Sequence, residues 1–151
     1  MDASDRRAVT RRLLDHLANG TTDQAEDVLR VPVSVYRDEA VWLRERDALF
    51  RRSPIVVAMS AHLPEPGSYR ALDASGIPVL SVRQEDGRVR VFLNACRHRG
   101  ARLCGVGLGS ARRFTCPYHA WTYDRSGALV GIPGEATFGA LERDEHGLTE
   151  L

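Results

Sequence analysis

Two short stretches constrain this chain more than any other: Cys96-Arg97-His98 and Cys116-Pro117-Tyr118-His119, with seventeen residues between His98 and Cys116. Each supplies one thiolate and one imidazole. These are soft-to-borderline ligands suited to iron-sulfur clusters or to zinc, so two loops that each carry one of both read as a metal site. In Cys-x-His the side chains at i and i+2 project to the same side of an extended segment, and both reach one centre without a helix. Pro117 lacks the N–H of a regular ladder and favours a rigid turn. A structural zinc site would use the same four donors tetrahedrally with no redox role. Zinc loops, however, more often carry Cys-x-x-Cys and His-x-x-x-His pairs than mixed ones.

Composition bounds the setting of this site. With 151 residues, 43% apolar and 27% charged, the chain is long enough for one domain with a real core. Its 21 basic and 20 acidic residues leave a formal charge of +1, so no global field favours nucleic acid or a membrane surface. Three cysteines, two of them candidate ligands, leave Cys104 unpaired, which speaks against a secreted disulfide framework and for a reducing cytoplasm. The longest apolar run, Ile55-Val56-Val57-Ala58-Met59, is far short of the roughly 20 residues of a membrane helix. Asp2, Asp5 and Asp15 are unlike an acid-poor transit peptide, and no apolar signal-peptide core is present.

Along the chain, Val9, Leu13 and Leu17 recur at i, i+4 and i+8, which predicts an amphipathic helix from about Ser4 to Asn19, stopped by Gly20. Its arginines and His16 read as a solvated face. Thr21-Thr22-Asp23 reads as the start of another short helix, and Val31-Pro32-Val33 as a connector. Asp38 is placed to cap a further helix, on which Val41, Trp42, Leu49 and Phe50 share one side, with Trp42 as core packing.

From Ile55 to Ile132 the pattern changes to short strands separated by turn residues, so the fold class is mainly β preceded by N-terminal helices. The predicted strands are 55–60, 68–72, 79–84, 89–94, 113–115, 121–124 and 128–132. Tight turns are expected at Glu85-Asp86-Gly87 and Ser126-Gly127. Both ligand loops are then borne on hairpins. The tail from Pro133 to Leu151 has weak periodicity and no obvious cap or closing strand, and reads as a linker.

The spacing Cys-x-His, seventeen residues, Cys-x-x-His resembles the signature of the Rieske family. So do the surrounding runs Asn94-Ala95-Cys96-Arg97-His98-Arg99-Gly100 and Phe114-Thr115-Cys116-Pro117-Tyr118-His119-Ala120-Trp121-Thr122-Tyr123-Asp124, which are similar to the loops of ring-hydroxylating oxygenase large (α) subunits. The resemblance implies a Rieske-type antiparallel β-sandwich with two cluster-binding hairpin loops. It also implies a [2Fe-2S] cluster with Cys96 and Cys116 on one iron and His98 and His119 on the other. Around it, Arg97, Arg99, Gly100, Tyr118 and Trp121 are expected beside the cluster or facing a partner, with Gly100 allowing close backbone approach. Cys104 is expected to be a buried free thiol.

Two neutral imidazoles in place of two thiolates lower the negative charge on such a cluster, so its potential exceeds that of a plant-type ferredoxin. Within the range of about −150 to +300 mV a low value is expected. In high-potential relatives a disulfide joins the ligand loops and a Ser follows the second His by two residues. Here Ala101, Tyr118 and Trp121 stand at those positions.

The family implication for function is electron transfer from a ferredoxin or reductase to a mononuclear Fe(II), in an oxygenase catalytic domain or a neighbouring α subunit. His16, His62 and His146 are widely separated and do not form that second iron site, so no catalytic residue is assigned. The expected organisation is a helical extension at 1–53, the Rieske domain at 54–133, and 134–151 as a linker toward a catalytic domain absent from this chain, which resembles the N-terminal portion of an oxygenase. A self-sufficient Rieske-type ferredoxin is the alternative. The fifty residues ahead of the first strand count against it.

Overall fold

A computed structural model describes residues 2–151, which divide into two compact units at Val41/Trp42. The first unit contains α1 (Ala3–Asn19). Its N-cap Asp2 accepts from the backbone N–H groups of Ser4 and Asp5, and Gly20 closes it in the left-handed conformation. The helix expected to restart at Thr21 does not form. Instead His16, half-buried rather than a free surface group, is held by Thr21 Oγ1 at 2.9 Å and Asp23 Oδ1 at 2.8 Å. These side chains are committed to a local turn, which competes with a new helix. Pro32 precedes a 3₁₀ turn, Val33–Tyr36. Asp38 caps α2 (Glu39–Glu45) as expected, through a 2.8 Å bond from the Ala40 N–H.

In the second unit the helical path continues as a π turn, Arg46–Phe50. Trp42 is not core packing: it is 56% exposed, with the Arg46 guanidinium 5.2 Å from its ring centre. The cation-π contact covers part of the exposed indole. The strand expected over 55–60 is also absent. Ile55–Met59 finds no ladder partner, and a 3₁₀ turn follows at Ser60–His62.

Among the described residues seven strands build two antiparallel sheets. The first holds β1 (Ser68–Ala74), β2 (Ile77–Arg83), β3 (Val89–Leu93) and β4 (Gly107–Ser110), in the order β3-β2-β1-β4. The second holds β5 (Arg113–Thr115), β6 (Thr122–Asp124) and β7 (Leu129–Gly131), in that order. The strand β4 was not legible: Gly-Leu-Gly-Ser has poor strand propensity and is made a strand by its ladder with β1. Gly109 is required there, because a Cβ would sit 2.6 Å from the Tyr69 hydroxyl.

Buried side chains from both sheets form one core that includes Leu80, Val82, Phe92, Phe114, Tyr123 and Leu129, and both Cys96 and Cys116 belong to it. Tyr69 of the first sheet meets Phe114 of the second edge-on, 5.4 Å between ring centres. Gly127 makes the expected turn at φ +84°, packed so tightly that a Cβ would lie 2.7 Å from Phe92 Cε1.

The tail read as a linker folds back onto this unit. Leu148 is 8% exposed within the core, and Glu150 bridges Phe92 on the open edge of β3. Backbone bonds from Leu93 N–H to Thr149 O and from Leu151 N–H to Val91 O complete the docking. Unpaired groups on a sheet edge and one well-placed leucine override a weak sequence pattern.

Candidate metal centre

The first ligand loop leaves β3 and crosses to β4 on the opposite edge of its sheet, while the second closes the β5–β6 hairpin. They nevertheless share one backbone device. The Cys96 N–H donates to Ala101 O and its carbonyl accepts from the Gly100 N–H, both at 2.8 Å. In the second loop the Cys116 N–H donates to Trp121 O at 2.8 Å and its carbonyl accepts from the Ala120 N–H at 3.0 Å. The residue four after each Cys has positive φ, +74° at Gly100 and +55° at Ala120. Each turn thus buries its thiol and throws its imidazole outward.

Gly100 owes its place to that φ: among protein atoms a Cβ there would meet nothing within 4 Å. Gly100→Ala is therefore expected to cost about 1–2 kcal/mol through the left-handed backbone alone. Comparing urea unfolding midpoints of the two proteins checks this. A loss several times larger would show that a neighbour is displaced as well.

The thiol pair is buried, Cys96 and Cys116 each at 3% exposure. Burial pushes the Cys116 thiol up, but the backbone N–H groups of His119 and Tyr118 and the Cys96 thiol outweigh it and hold it below its ordinary value. Tyr123 reaches the same place from β6: its hydroxyl lies 3.3 Å from Cys96 Sγ and accepts the Arg97 N–H at 3.0 Å. With that backbone donor already bonded to it, the phenol O–H is free to donate to sulfur. Burial first, and then the bond to Cys96, push Tyr123 well above the ordinary phenol value.

The imidazole pair stands 4.8 Å apart between ring centres. His98 is half-buried and His119 exposed. Burial, then His119 and Arg99, hold His98 below the usual imidazole value. Tyr118 covers His119 with 3.7 Å between centres, and the Arg99 guanidinium lies 6.0 Å from the Tyr118 ring. Arg97 and Arg99 are exposed. Trp121 is buried, and its Nε1–H has no acceptor among the described residues.

Two residues without an assigned role prove structural to the site. Tyr123 lay within the second motif, and only the tertiary contact reveals its sulfur partner. Asn94, 1% exposed, ties the far side of the first loop: its Oδ1 accepts from Leu103 and Cys104 N–H, and its Nδ2 donates to Cys104 O. A polar residue at the end of a strand next to a Cys was the available signal. Cys104 itself is half-buried rather than fully buried, and is free, with burial raising its thiol. His16, His62 and His146 take part in separate local hydrogen bonds.

Among the described residues no three His, Cys, Asp or Glu side chains gather as ligands of a single ion. The four candidates stand instead as a buried thiol pair and an outward imidazole pair. Two thiols and two imidazoles paired in this way are donors that a two-iron cluster of mixed ligation takes two by two. The fold and site therefore define a two-loop β-domain suited to an iron-sulfur cluster.

Comparison with known proteins names that class more closely. The family description of the Rieske [2Fe-2S] domain matches residues 53–142, and the chain belongs to this family. It is 40% identical over 121 residues to the benzene 1,2-dioxygenase subunit alpha of Pseudomonas putida, covering 80% of this chain and 27% of that protein. Biphenyl 2,3-dioxygenase subunit alpha of Rhodococcus jostii (strain RHA1) is 40% identical over 119 residues, covering 78% and 26%. Among solved structures, naphthalene 1,2-dioxygenase from Rhodococcus sp. bound to indole superposes with a TM-score of 0.72 at 31% identity, covering 99% of this chain and 32% of that one. The chain thus spans about a quarter of the length of the curated relatives it matches. Among the described residues no helix is long and apolar enough to cross a membrane.

Proposed function

We propose that this chain is the electron-relaying Rieske part of a ring-hydroxylating oxygenase α subunit. In this reading Cys96 and Cys116 would hold one iron of a [2Fe-2S] cluster, and His98 and His119 would hold the other. The observation that carries it is the two-plus-two arrangement of donors on matched turns, thiols in the core and imidazoles at the surface. When bound, the cluster supplies reversible storage of one electron.

The chain's own residues do the rest. The buried turns exclude water from the thiol side, and the Tyr123 hydroxyl donates to Cys96 Sγ and withdraws charge from it. Arg97 and Arg99 place positive charge around the imidazole edge, which suits an acidic donor such as a ferredoxin or reductase. The electron would go on to a mononuclear Fe(II) in an oxygenase catalytic domain or a neighbouring α subunit. In the sequence the helical extension at 1–53 precedes the Rieske domain expected at 54–133, and the tail at 134–151, docked on that domain through Leu148 and Glu150, comes after it on the way to that catalytic domain. Unpaired cysteines suit a reducing cytoplasm.

The test is an EPR spectrum of anaerobically purified, dithionite-reduced protein, with iron and zinc counted on the same sample. A rhombic signal of low average g and two irons per chain is the expected result. One zinc, no iron and no signal after cluster reconstitution would end the electron-transfer reading. Tyr123→Phe is expected to lower the potential by roughly 30–60 mV. Losing a hydrogen bond is worth about 1 kcal/mol, and about 59 mV is tenfold for one electron. A redox titration monitored by the visible spectrum checks it, and an unchanged potential would mean that the phenol does not bond the sulfur in the loaded protein.

A further inference from the structure

The two imidazoles are set in different surroundings. The His98 ring lies nearly parallel to the Trp121 indole, at 9° and 4.8 Å between centres. Phe138 meets His98 edge-on at 5.7 Å and 80°, and meets Trp121 at 5.6 Å and 71°. One face and one edge of the imidazole are therefore taken up by aromatic carbon. His119, by contrast, rests on Tyr118, which is 60% exposed.

Metal-bound imidazoles are commonly oriented by a hydrogen bond from the second ring nitrogen. For His98 the ring contacts with Trp121 and Phe138 constrain the ring plane as well. Trp121 is itself fixed, by its carbonyl bond to the Cys116 N–H and by the tail residue His146 at 5.9 Å. Phe138 ends a 3₁₀ turn, Glu135–Phe138, that Arg143 ties down by bonding Glu135 and the Val130 carbonyl.

We infer that Trp121 and Phe138 are positioning residues that fix the ring plane of His98 and so retain its iron, with the tail supplying half of this clamp. The inference rests on the proposed ligation and goes further, because it makes a segment outside the two ligand loops part of the metal centre. It also predicts inequivalence: disturbing the clamp changes one imidazole and leaves the other as it was.

The experiment uses reduced holoprotein labelled with ¹⁵N-histidine, read by pulsed EPR for the two imidazole nitrogen couplings and by the rate of iron release to a ferrous chelator. Phe138 is 37% exposed, so Phe138→Ala leaves the core intact. In that variant one coupling is expected to shift or broaden while the other holds, and iron release should accelerate about tenfold, the lower end for losing an orienting partner of a metal ligand. Phe138→Tyr, which keeps the ring, should return both readouts to the parental values. Trp121→Leu should act in the same direction as Phe138→Ala. Parental couplings and release rates in Phe138→Ala, with the fold confirmed by circular dichroism, would overturn the clamp while leaving the ligation standing. A parent protein with two irons and no imidazole coupling would overturn the ligation, and the clamp with it.

Discussion

Reduction of the His119→Cys protein is expected at a potential lower than the parent's by on the order of 100 mV or more. Replacing a neutral imidazole by a thiolate adds one negative charge to the oxidised cluster, and the added electron then meets greater repulsion. The span from about −400 mV for all-thiolate centres to about −150 mV for the lowest mixed ones covers two such replacements, which sets the scale for one. His119 is the better position for the test because its side chain is exposed, and the turn around it is held by backbone bonds from Cys116 to Ala120 and Trp121. His98→Cys should shift the potential in the same direction but with less cluster incorporated, since it also removes the ring packed against Trp121 and Phe138. A redox titration with iron counted per chain decides the matter. Two irons at an unchanged potential would remove His119 from the ligand set.

The second large effect concerns the tail. Leu148→Ala is expected to destabilise the protein by about 2–4 kcal/mol, because it truncates a core side chain and leaves a cavity that the flanking sheets only partly fill. Leu148 is surrounded by the same buried cluster as Phe92 and Leu129, and its N–H is tied to the Gly127 carbonyl. Were the tail a free linker, a substitution there would fall within about 0.5 kcal/mol of neutral. Urea unfolding of the holoprotein measures the difference. A midpoint unchanged from the parent would mean that residues 134–151 leave the domain surface in solution.

Several elements announced themselves locally. Cys96, His98, Cys116 and His119 were legible as candidate donors because ligand chemistry depends on residue type and short spacing. So were α1, with Asp2 and Gly20 at its ends, and the turns at Gly87 and Gly127, where only a glycine adopts the backbone at no cost. Misreadings gathered where a distant partner decides the outcome. Ile55–Met59 has strand composition and no ladder to join, whereas Gly107–Ser110 has turn composition and is paired by β1.

The sequence by itself determined the candidate donors, the mainly β class and the family resemblance, since these follow from side-chain chemistry and patterns a few residues long. Tertiary structure alone decided that the thiols enter the core, that Tyr123 faces a sulfur and that Asn94 braces the first loop. It also brought Phe138 and Leu148, both in a segment of weak periodicity, to His98 and to the core. The physical reason is distance along the chain: Tyr123, Phe138 and Leu148 meet partners far off in sequence, so those contact energies exist only once the fold has brought the partners together, and Asn94 bonds residues nine and ten positions on only once the first loop has closed.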